Sequence, residues 1–430
     1  MRLKKNLIIQ FYFIFICALI TGCTMLVRPQ IGQLKSIVLS SNASAPDDIW
    51  DVIRKGFQIP NLSNNLSKQW TQYYQDHPES IKRIAERSVK YLYFVVNEIN
   101  NRGLPTELAL MPFIESAYDP SAISKNKASG LWQFVPRTAK HFNLKQNWWL
   151  DERRDPIVST YAALDYLESL YKRQGHWHLA LASYNCGESV VQKAIEKNKK
   201  SNKSTKYINL QLPKETTNYV PKLQAVKNII TNPQKYGIDL PKVENKPYFK
   251  TVKKNKDIDI EVAAKLAEIS LEEFKALNPS HNRPVISSKH SQTILLPAKN
   301  IEKFHINLKK FTDNLSNWKI YKSKNGETFL SIAQKFGISE AKLKKTNNIR
   351  TQQKTASGQL LLIEQKHVIS LATNKKYIHK KTYDYLVRPG DNLSKIAKQH
   401  NTTVTEIRYL NKLKNDIIKH GKKIKLPYEE

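Results

Sequence analysis

The stretch Leu108-Ala-Leu-Met-Pro-Phe-Ile-Glu-Ser-Ala-Tyr-Asp-Pro120 sets one carboxylate at the end of an apolar run. Pro105 opens that run, and the pattern predicts a helix over Thr106–Glu115. A carboxylate placed against Met111, Phe113 and Ile114 is partly desolvated. Desolvation disfavours the charged form and raises the pKa. A general acid working at neutral pH needs that shift. Taken alone, a Glu at a helix end is more often a solvated surface residue, so the surrounding chain has to decide between the two.

Working outward, Ile81, Ile84, Leu92, Val95, Val96 and Ile99 recur at helical spacing before a stop at Gly103. Further helical runs are Val158–Tyr171, Leu179–Tyr184 and Pro221–Ile230. Strand-like alternation is scarce between Pro78 and Tyr236, so a compact helical domain is expected over residues 77–240. Three polar segments punctuate it: Ser129-Gly-Leu-Trp-Gln-Phe134, Ala182-Ser-Tyr-Asn-Cys-Gly187 and Glu215-Thr-Thr-Asn-Tyr-Val-Pro221. Together with the Glu115 segment, in this order and spacing, they resemble the soluble lytic transglycosylase family, whose fold is lysozyme-like.

The resemblance implies cleavage of the β-1,4 bond between N-acetylmuramic acid and N-acetylglucosamine without water, leaving a 1,6-anhydro end. Glu115 matches the family's single catalytic acid. Ser116 follows it, supports the local turn and, with Ser124, Ser129, Gln133, Tyr184, Asn185 and Tyr219, is expected to bind substrate. Ser124, Ser129 and Gln133 match polar groups near the acid, and Tyr184 and Asn185 match a segment that contacts the sugar. Tyr219 matches a tyrosine whose hydroxyl points at the glutamate. Tyr184 and Tyr219 also fit as core residues with one satisfied hydroxyl. Gly130, Leu131 and Trp132 read as packing, and Trp148 and Trp149 fit either core or a sugar platform, with core favoured. Cys186 has no paired His and is no nucleophile. His176 and His178 flank Trp177 without a third ligand, so neither a metal nor a cofactor is expected. The alternatives are a hydrolytic muramidase and a non-catalytic peptidoglycan-binding scaffold. A lone carboxylate speaks against two-carboxylate hydrolysis.

Beyond Pro241 the chain repeats. Gly326-Glu-Thr-Phe-Leu-Ser-Ile-Ala aligns without gaps on Gly390-Asp-Asn-Leu-Ser-Lys-Ile-Ala, and Leu343, Asn347 and Ile349 align on Ile407, Asn411 and Leu413. A weaker copy upstream places Ile260, Ala264, Phe274 and Asn278 on Phe329, Ala333, Leu343 and Asn347. Each copy reads strand, helix, helix, strand. The copies resemble LysM modules, which bind N-acetylglucosamine polymers, at 318–364 and 383–428, with a degenerate one at 248–298. The whole is then a multidomain α+β chain: a helical, lysozyme-like catalytic domain followed by small βααβ modules. By resemblance the sugar-binding loops start at Gly326, Glu327 and Thr328 and at Gly390, Asp391 and Asn392. The same residues also suit a turn and a helix cap, and the two readings are compatible.

Composition frames the partner. The chain has 430 residues, 40% of them hydrophobic, and a net charge of +33, which excludes wholesale disorder and implies a polyanionic neighbour. Residues 241–430 carry 38 basic and 18 acidic side chains, a net of +20. At the N-terminus Arg2, Lys4 and Lys5 precede the apolar stretch Leu7–Ile20, as in a secretory signal. The stretch is shorter than the roughly 20 residues of a membrane-spanning helix. Ile20-Thr-Gly-Cys23 resembles a bacterial lipobox. That implies a signal over 1–22, lipidation at Cys23, and a tether and N-terminal segment over 23–76. Thr24 in place of Asp favours the outer membrane by the same resemblance. The expected partners are peptidoglycan glycan strands and, through the lipid, a membrane. Export removes nucleic acid as the polyanion. The expected state is a monomer on the periplasmic face of the outer membrane, with Cys186 its one remaining thiol.

Overall fold

The computed structural model describes residues 46–365, 382–413 and 415–427. The expected signal and Cys23 lie outside these residues. Between residues 46 and 236 the described chain is helical: α1 (Ile49–Lys55), α2 (Asn65–Asp76), α3 (Pro78–Ser88), α4 (Leu92–Asn101), α5 (Met111–Glu115), α6 (Pro136–His141), α7 (Pro156–Gln174), α8 (Trp177–Cys186), α9 (Glu188–Lys200) and α10 (Lys214–Thr231). The run before Glu115 is split, with a 3₁₀ turn over Thr106–Leu110 ahead of α5.

Local chemistry sets these elements. Asp155 caps α7 by accepting from the N–H groups of Ile157 and Val158, and Pro156 follows at the first helical position. Helix α7 then buries Ala163, Leu164, Leu167 and Leu170 completely. Helix α10 contains Pro221, which cannot bond the carbonyl of Thr217. The Tyr207 hydroxyl donates to that carbonyl at 3.0 Å, so the helix continues through the proline.

The helical core starts earlier than residue 77. Ile49, Trp50 and Ile53 of α1 are buried in it, and α2 lies along α10. The expected tether therefore gives way to packed helix from Ile49 onward. Glu107, 1% exposed, fastens the intervening segment. It accepts from the N–H groups of Gln58 and Ile59 and pairs with Lys227 at 2.8 Å.

Three modules follow. The first pairs β1 (Phe249–Lys253) with β4 (Thr293–Pro297) antiparallel, and β2 (Ile258–Asp259) with β3 (Val285–Ile286). It carries α11 (Ile260–Leu266) and α12 (Leu271–Leu277). It runs past the expected end at 298 into α13 (Ile301–Lys310), because Phe304 is buried in the module's own core. The second pairs β5 (Trp318–Lys322) with β6 (Leu360–Glu364) around α14 (Phe329–Lys335) and α15 (Glu340–Thr346). The third pairs β7 (Thr382–Leu386) with β8 (Lys423–Pro427) around α16 (Leu393–Gln399) and α17 (Val404–Leu410).

The aligned asparagines explain the repeat. Asn278, Asn347 and Asn411 each exchange two side-chain hydrogen bonds with the backbone of one closing-strand residue, Leu295, Leu362 and Lys425 respectively. Each amide also donates to a carbonyl four residues back in its helix. One side chain thereby locks helix to strand. The clamped residue differs with its surroundings. Leu295 joins the core of the helical domain, Leu362 is buried with Trp149, Leu150 and Val285, and Lys425 is exposed. Trp148 and Trp149 are packing residues, as read from the sequence, and the packing they serve is a seam between modules. Arg283 lies 4.0 Å over Trp148, and His290 stacks on Trp149 at 5.0 Å.

Candidate active site

Glu115 ends α5, and the chain then turns through Ala117 and Tyr118 at φ +52° and +54°. Non-glycine residues pay for that region in strain. Burial of Tyr118 offsets it: the ring is fully enclosed, and its hydroxyl donates to the Ala109 carbonyl at 2.8 Å. Ser116 donates to the Leu131 carbonyl at 2.9 Å and so ties the turn to the next segment.

That segment is a tight loop. Ser129 and Phe134 exchange backbone hydrogen bonds, and Gly130 sits at φ +86° against the backbone of Arg153. The Arg153 guanidinium donates to the carbonyls of Lys127 and Phe134 and pairs with Asp151 at 2.7 Å. Trp132 is buried and donates to Thr160 at 2.9 Å. The loop presents Gln133, at φ +49°. Its amide nitrogen donates to the carbonyls of Gly130 and Ala122. Among the described residues nothing donates to its Oε1.

A cleft of about 460 Å³ opens between this loop and helices α8 and α10. Glu115 lines it with Ser124, Gln133, Tyr184, Asn185 and Tyr219. Ser116 and Ser129, expected to touch substrate, are absent from its wall. Both serve the backbone turns described above, and Ser129 is fully buried.

The Tyr219 hydroxyl donates to Glu115 Oε1 at 2.5 Å. Burial pushes the Glu115 carboxyl up to about 7, against the lowering effect of that hydrogen bond, and the negative charge of Glu215 adds to the rise. Burial holds the Tyr219 and Tyr184 phenols well above their usual range, so both stay protonated. Tyr184 donates to the Trp132 carbonyl at 2.8 Å and braces the loop. Asn185 accepts from Thr216 at 2.7 Å and bridges α8 to α10. Burial raises the Cys186 thiol, which weakens it as a nucleophile.

Glu215 and Lys222 also line the cleft, and neither was singled out from the sequence. The available signal was helical spacing: Glu215, Tyr219 and Lys222 stand at i, i+4 and i+7 on α10. Among the described residues no group of three or more His, Cys, Asp or Glu is placed to hold a metal, and no helix is long and apolar enough to cross a membrane.

In the second and third modules the six predicted loop residues build turns and caps. Gly326 and Gly390 adopt φ +81° and +83°. Glu327 accepts from Lys324 N–H and the Tyr321 hydroxyl, and Asp391 from Arg388 N–H and the Tyr385 hydroxyl. Those bonds, the backbone one foremost, lower both carboxyl pKa values. Thr328 and Asn392 cap α14 and α16.

A helical domain with one half-buried acid in a cleft, ahead of βααβ modules, matches a transglycosylase. Residues 92–207 match the Transglycosylase SLT domain, 248–313 the lytic transglycosylase MltD LysM-like domain, and 321–363 and 385–427 the LysM domain. The chain is 32% identical over 376 residues to membrane-bound lytic murein transglycosylase D of Escherichia coli, covering 84% of this chain and 82% of that protein. It therefore belongs to the lytic murein transglycosylase D family. It also shares 49% identity over 112 residues, 26% of this chain and 54% of the other, with a putative tributyltin chloride resistance protein from an Alteromonas species. An inactive mutant of the lytic transglycosylase Slt from Pseudomonas aeruginosa superposes with a TM-score of 0.26 at 21% identity, over 34% of this chain and 24% of that one. That overlap is too partial to bear on the fold.

Proposed function

We propose that the chain cuts the β-1,4 bond between N-acetylmuramic acid and N-acetylglucosamine in peptidoglycan by internal attack, leaving 1,6-anhydro ends. The observation that carries this reading is Glu115 in the cleft, raised to about 7 and held by the Tyr219 hydroxyl. Protonated Glu115 donates to the glycosidic oxygen as the bond from C1 breaks. The neighbouring acetamido oxygen of the substrate supports the positive centre. Glu115, now a carboxylate steadied by Tyr219, takes the proton of the C6 hydroxyl as that oxygen closes on C1. The acid is thus restored with no net proton change.

Glu215 gives the hydrolytic reading a specific foothold, since a second carboxylate stands in the cleft. Digestion of purified sacculi separates the two. The proposal expects 1,6-anhydromuropeptides, with Glu215→Gln still giving them. Reducing ends that vanish in Glu215→Gln would establish a muramidase.

The acid must hold its proton to work, so cleavage falls as pH rises through about 7. Tyr219→Phe removes the bond that favours the carboxylate. Its alkaline limb therefore moves to higher pH while its maximal rate drops by about tenfold or more. A limb that stays put in the pH–rate profile would separate Tyr219 from the acid.

The repeats hold the enzyme on the wall in this proposal, and a lipid on Cys23 holds it as a monomer at the periplasmic face of the outer membrane. Removing residues 366–430 takes away the third module and leaves Leu362 covering Trp149. Sacculus pull-down should weaken while turnover of soluble glycan strands persists. Unchanged pull-down would deny that module an anchoring role.

A further inference from the structure

We infer that α2 supplies an aromatic glycan subsite that extends the cleft, built from Trp70 and Tyr73. Both residues precede the stretch that matches the SLT domain. Three observations carry the inference. The first is continuity. Lys222 lines the cleft beside Glu115, and its ammonium sits 4.3 Å from the centre of the Trp70 ring. The second is fixation. Trp70 donates its indole N–H at 2.9 Å to Asn218, the residue preceding the Tyr219 that holds Glu115. Helix α10 thus positions the acid with one side chain and the shelf with the next. The third is exposure. Tyr73 packs edge-on to Trp70 at 5.4 Å and stacks on His77 at 4.5 Å, yet is 46% exposed. Among the described residues nothing bonds its hydroxyl. Nearly half of this side chain, with its unbonded hydroxyl, is thus available to a ligand.

The ligand class follows from the geometry. A pyranose offers an apolar C–H face to a ring and hydroxyls to the phenol and ammonium at its rim. The inference rests on the proposed glycan cleavage and assigns it a further sugar position along the strand. Pre-ordering of Trp70 by Asn218 and Lys222 reduces the ordering cost of binding there.

The test is kcat/KM on uncrosslinked peptidoglycan glycan strands separated by length. Tyr73→Ala, an exposed position, should lower kcat/KM on long strands by about tenfold. Its kcat/KM on a tetrasaccharide-peptide should stay within about twofold of wild type, since so short a substrate is spent around the acid. In an inactive Glu115→Gln background, Tyr73→Ala should weaken binding of long strands alone. Equal losses on both substrates, or no loss on long strands, would overturn the shelf. Each comparison is made against wild type on the same strands. A hydrolytic product would therefore overturn the anhydro chemistry and leave the subsite standing.

Discussion

Glu115→Gln is expected to lower cleavage of sacculi by about 10³-fold or more while sacculus retention stays unchanged. The glutamine cannot give a proton to the leaving oxygen or take one from the C6 hydroxyl, so both halves of the reaction fail together. Misfolding would not account for the loss, because linkage predicts the opposite effect on stability. The folded chain keeps the Glu115 proton up to about pH 7, whereas the unfolded chain releases it near the ordinary 4.5. Between those values the fold binds more protons than the unfolded chain, so stability declines as pH rises. Gln carries no such penalty. The variant should melt no lower than wild type at pH 8, and higher if Tyr219 accepts the new amide. Cleavage near the wild-type rate would remove Glu115 from the acid's role.

The second large effect falls on the loop that presents Gln133. A Cβ added at Gly130 would lie 1.8 Å from the Arg153 carbonyl oxygen, and that oxygen is main chain with little freedom to retreat. The positive φ adds its own strain. Gly130→Ala should destabilise the helical domain by about 4 kcal/mol or more. For a domain of this size that lowers Tm by about 10 °C. The affected contacts include the Arg153 bonds that hold Phe134 and the floor under Gln133, so residual activity should fall further than stability alone requires. A Tm within about 2 °C of wild type would show that the loop has room that its geometry denies.

Much of the site was legible because its residues stand in short ordered segments. Glu115, Gln133, Tyr184, Asn185 and Tyr219 were read from four stretches, and the structure brings all five to one cleft. The modules were legible because a single asparagine recurs wherever a helix must be locked to a closing strand. Helix α2 was missed for a physical reason. It buries Ser67, Thr71 and Tyr74, and the first two bond backbone and Asn228, so apolar periodicity never marks its inner face. Ser116 and Ser129 were read as substrate contacts because a hydroxyl beside the acid looks the same in sequence whether it faces sugar or the protein interior. Trp148 and Trp149 read correctly as packing. Their actual partners, Val285 and Leu362, lie more than a hundred residues away, and no local pattern names them.

Cleavage by one acid without water leaves no solvent oxygen in the product. Digestion of sacculi in ¹⁸O-enriched water reads this out, with mass spectrometry of the newly formed muramoyl ends. Anhydro ends that carry no label are expected. Reducing ends with ¹⁸O at C1 would contradict it.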